Sequence, residues 1–169
     1  MDILEFRKAL IKYSELYIEL GILEKQLRVA IPASFATKTG AYQVNEWITL
    51  LNLDVKSQSK LKNARIHQRW AGEPSSHPIA EFLPFSFWSQ VIATRNYTSL
   101  WIPYTHQISA DFEFRKSFGY LKKFEKRLRS ATIDRNFVAH YNFSRIVSVE
   151  ESLGNVQWLQ REMGLVKAQ

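Results

Sequence analysis

One long segment decides the fold: residues 111–142 read DFEFRKSFGYLKKFEKRLRSATIDRNFVAHYN. Its apolar side chains recur every three or four residues, as at Phe118, Leu121, Phe124 and Leu128. This spacing is typical of an amphipathic α-helix with one buried face. We therefore predict a long helix over these residues, with a break around residues 131–134 as the alternative to a continuous helix.

The first part of the chain predicts a second amphipathic helix. Asp2 suits the N-cap position of this helix. Pro32 cannot donate to the hydrogen-bond ladder of a helix, so we expect the helix to end or kink near Ile31. The apolar stripe expected to face the core comprises Leu10, Tyr13, Leu16, Tyr17, Leu20, Leu23, Leu27 and Ile31.

Shorter helices are predicted between these two segments. Residues 45–53 predict a short helix, and residues 55–71 predict a more polar one. The more polar helix is expected to turn Leu61, Ile66 and Trp70 inward.

Two aromatic clusters follow these helices. Ser86 suits the N-cap of a helix that carries the first cluster. We expect both clusters to pack in the core, and a partner-binding surface is the alternative. The first cluster contains Phe85, Phe87 and Trp88, and the second covers residues 101–104.

The remaining segments complete an all-α fold. Residues 149–163 predict a last helix whose first turn contains two acids, and residues 145–149 suit a short extended piece. Glycine and proline mark a turn at 37–40 and an exposed loop at 72–78. We predict an all-α bundle of five to seven helices that forms a single domain over residues 1–169.

The composition excludes several classes of protein. The chain of 169 residues contains no cysteine, which excludes disulfide scaffolds, thiolate metal sites and cysteine nucleophiles. No stretch has the pattern of a signal peptide or the length of a membrane span, so we expect a cytoplasmic protein. A formal net charge of +7 favours a polyanionic partner, either nucleic acid or an acidic membrane surface.

The positive charge is concentrated in two segments. Residues 55–71 contain five basic and no acidic side chains, and residues 113–135 contain eight basic and three acidic ones. A solvated helix face explains each segment as well as a binding surface does. Charge alone therefore leaves both interpretations open.

The second basic segment ends in side chains suited to phosphodiester chemistry. Arg135, Asn136 and His140 lie within six residues. On a helix Asn136 and His140 share a face, whereas Arg135 is offset from His140 by about 140° and must reach round to join them. If Asp134 caps a new helix, Arg135 and Asn136 also lie at its positive end, where phosphate binds. The alternative is a helix whose Asn136 and His140 only satisfy local hydrogen bonds.

Each of these side chains suits a step of RNA cleavage. The His140 imidazole can take the proton of a ribose 2′-hydroxyl or give one to the leaving 5′-oxygen. The Arg135 guanidinium can bind the phosphate and stabilise its transition state, and Asn136 can orient His140 or bind a phosphate oxygen. Because the 2′-hydroxyl is an internal nucleophile, we expect neither a metal nor a cofactor. The predicted RNA-binding residues are Lys126, Arg129 and Tyr141.

The acid–base chemistry predicts a dimer. One imidazole per chain is a weak supply of acid and base groups, because the reaction uses both a general base and a general acid. A symmetric dimer would bring two copies of the site together. We therefore predict a homodimer in which the helices carrying Arg135 and His140 line one basic cleft.

These residues resemble a known family. Residues 135–140 are similar to the Arg-x(4–6)-His signature of the HEPN superfamily, including the polar residue directly after the arginine. The surroundings resemble its Abi-like branch, the proteins of bacterial abortive-infection systems. Residues 23–28 resemble the Glu-x-x-x-Arg helix of that branch, and residues 83–88 and 100–103 resemble its two central aromatic signatures.

The resemblance implies an α-helical bundle that dimerises through its motif helices. It also implies metal-independent endoribonuclease activity in a toxin or phage-defence effector, with Arg135 and His140 as catalytic residues. An antitoxin or a regulatory protein is then a further partner. The chain departs from the family pattern after the motif, where Asn142 stands in place of the tyrosine of antitoxin-controlled members and no second histidine follows.

Two other functions fit the same sequence. A non-catalytic helical module would hold RNA or a partner protein in the same basic cleft. A structural or regulatory subunit would dock through Phe85, Phe87, Trp88 and Trp101.

Overall fold

The structure is built from five α-helices in the part of the chain that it describes. This computed structural model describes residues 2–36, 46–72, 78–98 and 118–163. Those residues contain no β-strand, which confirms the predicted all-α bundle. Short 3₁₀ helices lie at Glu46–Leu50, Ile79–Phe82, Thr94–Asn96 and Phe143–Arg145. The helices are α1 (Ile3–Ala36), α2 (Val55–Ala71), α3 (Phe85–Val91), α4 (Phe118–Ala139) and α5 (Val149–Glu162).

Helix α1 buries one side along most of its length. Asp2 Oδ1 accepts a hydrogen bond of 2.8 Å from the backbone N–H of Glu5, which confirms the predicted N-cap. The side chains of the apolar stripe that are buried from position 16 onward are Leu16, Leu20, Leu23, Leu27 and Ile31. Leu10 and Tyr17 are exposed, so their predicted burial is wrong, because they line an open groove at the edge of the stripe.

Helix α1 continues through Pro32 to Ala36, so the predicted end near Ile31 is wrong. Proline removes the N–H that would bond the carbonyl one turn earlier. The side chains of Leu27 and Ile31 are buried in the core immediately before this point. Their packing holds the chain helical across the missing bond.

Helix α2 has the predicted bounds because a side chain caps its start. Asp54 Oδ1 accepts a hydrogen bond of 2.8 Å from the backbone N–H of Ser57. Trp70 is 77% exposed, so its predicted inward placement is wrong. Its ring instead meets the His67 ring of the same helix edge-on, with 5.3 Å between the ring centroids.

Helix α3 carries the first aromatic cluster into the core. Phe85, Phe87 and Trp88 are all buried, which confirms their core packing. The alternative prediction, that a partner docks through these three residues, is therefore wrong. The helix begins at Phe85, so Ser86 lies inside it and is not the N-cap. The Ser86 hydroxyl instead accepts a hydrogen bond of 2.8 Å from Lys60 Nζ.

Helix α4 is continuous, so the alternative of a break around residues 131–134 is excluded. It packs against α1, α3 and α5. The Thr132 hydroxyl donates a hydrogen bond of 2.8 Å to the Leu128 carbonyl and is thereby satisfied inside the helix. The buried stripe of α4 comprises Leu121, Phe124, Leu128 and Ala131.

Helix α5 begins at Val149 as predicted. The Ser148 hydroxyl accepts a hydrogen bond of 3.1 Å from the backbone N–H of Glu151 and caps the helix. The predicted extended piece at 145–149 is confirmed only at its centre, where the backbone of Ile146 and of Ser148 is extended. Arg145 instead ends a 3₁₀ helix, and Val149 begins α5.

Some predicted features lie outside the described residues. They are the turn at 37–40, most of the loop at 72–78, the aromatic cluster at 101–104 and residues 111–117 of the long helix. In the described ranges, no helix is long and apolar enough to cross a membrane.

The buried stripe of α4 makes a testable prediction about stability. Leu128→Ala should lower the free energy of unfolding by about 2–5 kcal/mol, because it leaves a cavity while alanine preserves helix propensity. Urea unfolding followed by circular dichroism measures this change. Ile133→Ala is the matched control on the same helix, since Ile133 is 52% exposed and its truncation should cost less than about 0.5 kcal/mol. Equal losses in the two variants would contradict the assignment of the buried face.

Candidate active site

The predicted catalytic residues lie in the last turns of α4. Because the helix is continuous, Asp134 is an interior residue and not an N-cap. Arg135 and Asn136 therefore lie near the carboxyl end, where the helix dipole is negative. The predicted phosphate site at a helix amino terminus is wrong. Phosphate binding at this place would depend on side chains alone.

Glu24 of α1 forms an ion pair with Arg135. Its Oε2 atom lies 3.6 Å from Arg135 Nε, and its Oε1 atom lies 2.6 Å from Arg28 Nη2. Arg28 also donates a hydrogen bond to the backbone carbonyl of Glu81. The Glu24 side chain is 15% exposed and the Arg135 side chain is 38% exposed. A largely buried carboxylate thus orients two guanidinium groups, and Arg135 keeps a side open to solvent.

Asn136 and His140 project from the outer face of α4. Both side chains are exposed, and their spacing of four residues places one above the other. Arg135 is turned toward α1, about 140° round the helix axis from His140. The structure therefore brings Asn136 and His140 together within one chain and places Arg135 on a different side of the helix.

Helix α4 ends in a tight turn beside His140. Tyr141 has a φ of 58°, a left-handed conformation that favours glycine. Its N–H donates to the Val138 carbonyl at 3.1 Å, and the N–H of Asn142 donates to the Phe137 carbonyl at 2.7 Å. This is the Schellman pattern of a helix end. The Tyr141 ring is exposed, so this predicted RNA-binding residue is accessible.

Aromatic contacts hold Tyr141 in its left-handed conformation. Its ring meets the Phe6 ring edge-on with 5.5 Å between centroids, and the Phe143 ring with 6.1 Å. Each such contact stabilises by about 0.5–1.5 kcal/mol, comparable to the cost of about 1–2 kcal/mol for a left-handed residue. The amino terminus of α1 thus supports the end of the motif helix.

A basic groove runs along the outer side of α4. It has a volume of 770 Å³, and Lys122, Lys123, Lys126 and Arg129 line it. Lys126 and Arg129, the two predicted RNA-binding cations, are both exposed. Arg129 also pairs with Glu125 at 2.8 Å, so part of the positive charge is already compensated.

A second cavity, of 650 Å³, lies between α4 and α5. Asp134 lines it, and burial raises the pKa of this carboxyl group. A hydrogen bond with Ser152 acts in the opposite direction, and the nearby charge of Glu151 raises the pKa further. The basic side chains around this cavity are Lys123, Lys126, Arg127 and Arg145.

Lys122 and Lys123 are site residues that the sequence patterns did not single out, and Glu24 was noted only as the glutamate of the Glu-x-x-x-Arg helix in residues 23–28. The spacing of four residues between Glu24 and Arg28 is a signal for an ion pair within one helix. No spacing in the sequence connects Glu24 with Arg135, because they belong to different helices. The two lysines belong to the predicted basic segment, which did not distinguish one face of the helix from another.

Comparisons of the chain with protein-family models, with curated proteins and with solved structures found no match. The resemblance to the HEPN superfamily therefore rests on the quoted motifs. Among the residues that the structure describes, no three histidine or acidic side chains are grouped so that they could hold a metal ion.

The raised pKa of Asp134 predicts a change of stability with pH. The folded protein binds the proton of the Asp134 carboxyl group more tightly than the unfolded chain does. The protonated group therefore contributes to stability below its ordinary pKa of 3.8. This contribution is lost as the pH rises through the raised pKa of the folded state. Asp134→Asn should therefore have a higher melting temperature than the parent at pH 7. The difference should shrink as the pH falls through the raised pKa of Asp134 toward 3.8, and below 3.8 the ionisation of Asp134 should no longer contribute to it.

Asp54→Asn is the control for this measurement. Hydrogen bonds with Ser57 lower the pKa of Asp54, so its ionised form stabilises the fold above 3.8. Asparagine keeps the N-cap but removes the charge, so this variant should not gain stability at pH 7. A melting temperature of Asp134→Asn that stays below that of the parent at every pH would contradict the assigned effect of burial.

Proposed function

We propose that this protein is a metal-independent endoribonuclease of the HEPN type that acts as a homodimer. The observation that carries the proposal is the accessible Arg135 guanidinium of the basic helix α4, which pairs with the Glu24 carboxylate, together with the exposed His140 at the end of the same helix. Fixed cationic donors stabilise developing negative charge because they do not need to reorganise during the reaction. The same residues carry the resemblance to the HEPN superfamily.

The proposed reaction uses the RNA as its own nucleophile. A neutral His140 imidazole takes the proton of a ribose 2′-hydroxyl while that oxygen forms a bond with the adjacent phosphorus. The bond between phosphorus and the 5′-oxygen breaks, and a protonated imidazole donates its proton to the leaving oxygen. The products are a 2′,3′-cyclic phosphate and a free 5′-hydroxyl, so the step needs no other reactant.

Arg135 would bind the phosphate in this reaction. Glu24 approaches the Nε side of its guanidinium, and a guanidinium carries further donors on its two terminal nitrogens. Those nitrogens suit a paired hydrogen bond to two phosphate oxygens. Asn136, one turn before His140, would orient the imidazole or bind a third oxygen.

The site would be completed by a second copy of the chain. In one chain Arg135 and His140 lie about 140° apart on α4, and each is accessible from a different side of the helix. A two-fold axis beside the ends of two α4 helices would allow Arg135 of one copy to approach His140 of the other. It would also supply the second imidazole that the reaction uses as its acid.

The RNA strand would follow the outer side of α4. Lys122, Lys126 and Arg129 are spaced by four and three residues, and Asn136 and His140 continue the same face of the helix. The basic groove therefore leads toward the reacting phosphate. The exposed Tyr141 ring suits stacking of a base at the end of this path.

The resemblance also supports a biological role. Abi-like members of the HEPN superfamily act in toxin and phage-defence systems, and we propose the same role here. An antitoxin or a regulatory protein would then restrain the activity.

The proposed activity predicts cleavage without metal. The purified protein should cut labelled single-stranded RNA in EDTA and leave 2′,3′-cyclic phosphate ends, which gel analysis with end mapping detects. Arg135→Ala and His140→Ala should each lower the rate by about 10²–10⁴-fold, because they remove the transition-state donor and the acid–base group.

Two exposed residues on other helices serve as controls. His67→Ala on α2 and Arg161→Ala on α5 should cut RNA at the rate of the parent. Parental activity in His140→Ala would overturn the assigned mechanism. Equal RNA binding without cleavage by the parent and all variants would show a non-catalytic binding module instead.

The RNA path predicts a dependence of binding on salt. In the His140→Ala background, Lys126→Ala and Arg129→Ala should each weaken binding of single-stranded RNA. Each should also reduce the slope of log affinity against log salt by about 0.7, the value for one phosphate contact with a single strand. Titrations by fluorescence anisotropy at several salt concentrations measure this slope. Lys8→Ala on α1 is the control, and a slope that changes as much in this variant would contradict the assigned path.

A further inference from the structure

Helix α1 carries an exposed apolar stripe on the side opposite its buried face. The large aliphatic side chains of this stripe are between 41% and 70% exposed. Soluble monomers rarely leave so long a row of aliphatic side chains in water, so such a surface marks a contact site. We call it the outer stripe, and its members are Leu4, Ile11, Ile18, Ile22 and Val29.

The outer stripe has the spacing of a coiled-coil seam. Lys8, Glu15 and Lys25, all exposed, lie on the same face and fill the gaps between its aliphatic members. Together the eight positions advance by four and three residues in turn from Leu4 to Val29. This repeat of 3.5 residues keeps a seam facing a partner helix along its whole length.

We propose that a second copy of the chain pairs with this seam in the antiparallel direction, along α1. The charges decide the direction. A parallel pair in register would place Glu15 against Glu15 and Lys25 against Lys25, which is unfavourable at the centre of a seam. An antiparallel pair can instead place Glu15 of each copy opposite Lys25 of the other.

The Glu15–Lys25 contact selects one register of the antiparallel pair. In this register the numbers of any two facing residues add up to forty. Ile11 therefore faces Val29, and Ile18 faces Ile22. The two-fold axis passes the helix at position 20, beside the midpoint of Ile3–Ala36, so the two helices overlap along nearly their full length. Each apolar side chain between Ile11 and Val29 meets another apolar side chain.

The next possible register is less favourable. Sliding the helices by one heptad makes the facing numbers sum to thirty-three, which places Lys8 opposite Lys25 and Glu15 opposite Ile18. That arrangement brings like charges together twice and buries a carboxylate against an aliphatic chain. The sequence of α1 is thus self-complementary in one register.

The proposed contact is distinct from the candidate active site. The outer stripe points away from the core, whereas Glu24 and Arg28 lie about a third of a turn from it round α1, on the side that meets Arg135. A pair formed through α1 leaves the outer side of α4 free. The inference therefore stands without ribonuclease activity.

Cross-linking tests the direction and the register together. The chain contains no cysteine, so single cysteines can be introduced without background. Ile11→Cys and Val29→Cys, mixed after subunit exchange and oxidised, should form a disulfide-linked dimer of one copy of each. Either variant alone should not form one, because its two sulfurs would lie about 27 Å apart along the paired helices.

Other cross-linking outcomes would overturn the proposal. Cross-links within Ile11→Cys alone would show a parallel pair. A mixture that forms no cross-link, together with a mass in solution that Ile18→Asp combined with Ile22→Asp does not lower, would show that the outer stripe does not pair with a second copy.

Oligomer mass and charge exchange provide a second, independent measurement. Ile18→Asp combined with Ile22→Asp should halve the mass in solution, whereas Val147→Asp, at an exposed aliphatic residue outside α1, should leave it unchanged.

Glu15→Lys and Lys25→Glu should each weaken the oligomer, and the double variant should restore it. RNA cleavage should persist in the Ile18→Asp/Ile22→Asp variant, so failure of this pairing and failure of the ribonuclease proposal give different results.

Discussion

Burial of one face of α4 is the constraint on which the rest of the structure depends. Leu121, Phe124, Leu128 and Ala131 are fully buried against α1, α3 and α5, and this fixes the rotation of the helix about its axis. Every other side chain of α4 then has a determined direction. Lys122, Lys126 and Arg129 face outward, and so do Asn136 and His140, while Arg135 lies at the edge that meets α1. The candidate site is a consequence of this rotation and not of a separate loop or domain.

The Glu24 carboxylate joins the first helix to the motif helix by an ion pair. Glu24 lies between Arg28 and Arg135 and is largely shielded from water. Charges in such a position interact more strongly than surface pairs, but a buried carboxylate without both partners would be destabilising. The arrangement therefore suits orientation of Arg135 better than simple stabilisation of the fold. The open side of the guanidinium is where we propose that a phosphate binds.

The periodicity of the sequence predicted the helices and their buried faces. The bounds of α2 and the buried leucines of α1 agree with the structure, because they follow from local capping and from a helical repeat. The errors have physical reasons. Tertiary packing holds α1 helical through Pro32, and this effect is not visible in a local pattern. The contact between Glu24 and Arg135 joins two helices, so no spacing in one segment could reveal it.

We propose that Arg135 of one copy acts with His140 of another, because one chain directs these side chains to different sides of α4. Subunit complementation tests it most directly. Arg135→Ala and His140→Ala, each expected to cut RNA slowly, are mixed at equal concentration, exchanged by unfolding and refolding, and assayed for RNA cleavage in EDTA. The rate of the mixture should rise above that of either variant, because each mixed dimer contains one intact Arg135–His140 pair across its interface, but it should stay below the rate of the parent, because the second imidazole is missing. A mixture that contains mixed dimers and still cuts RNA no faster than either variant would contradict the proposal.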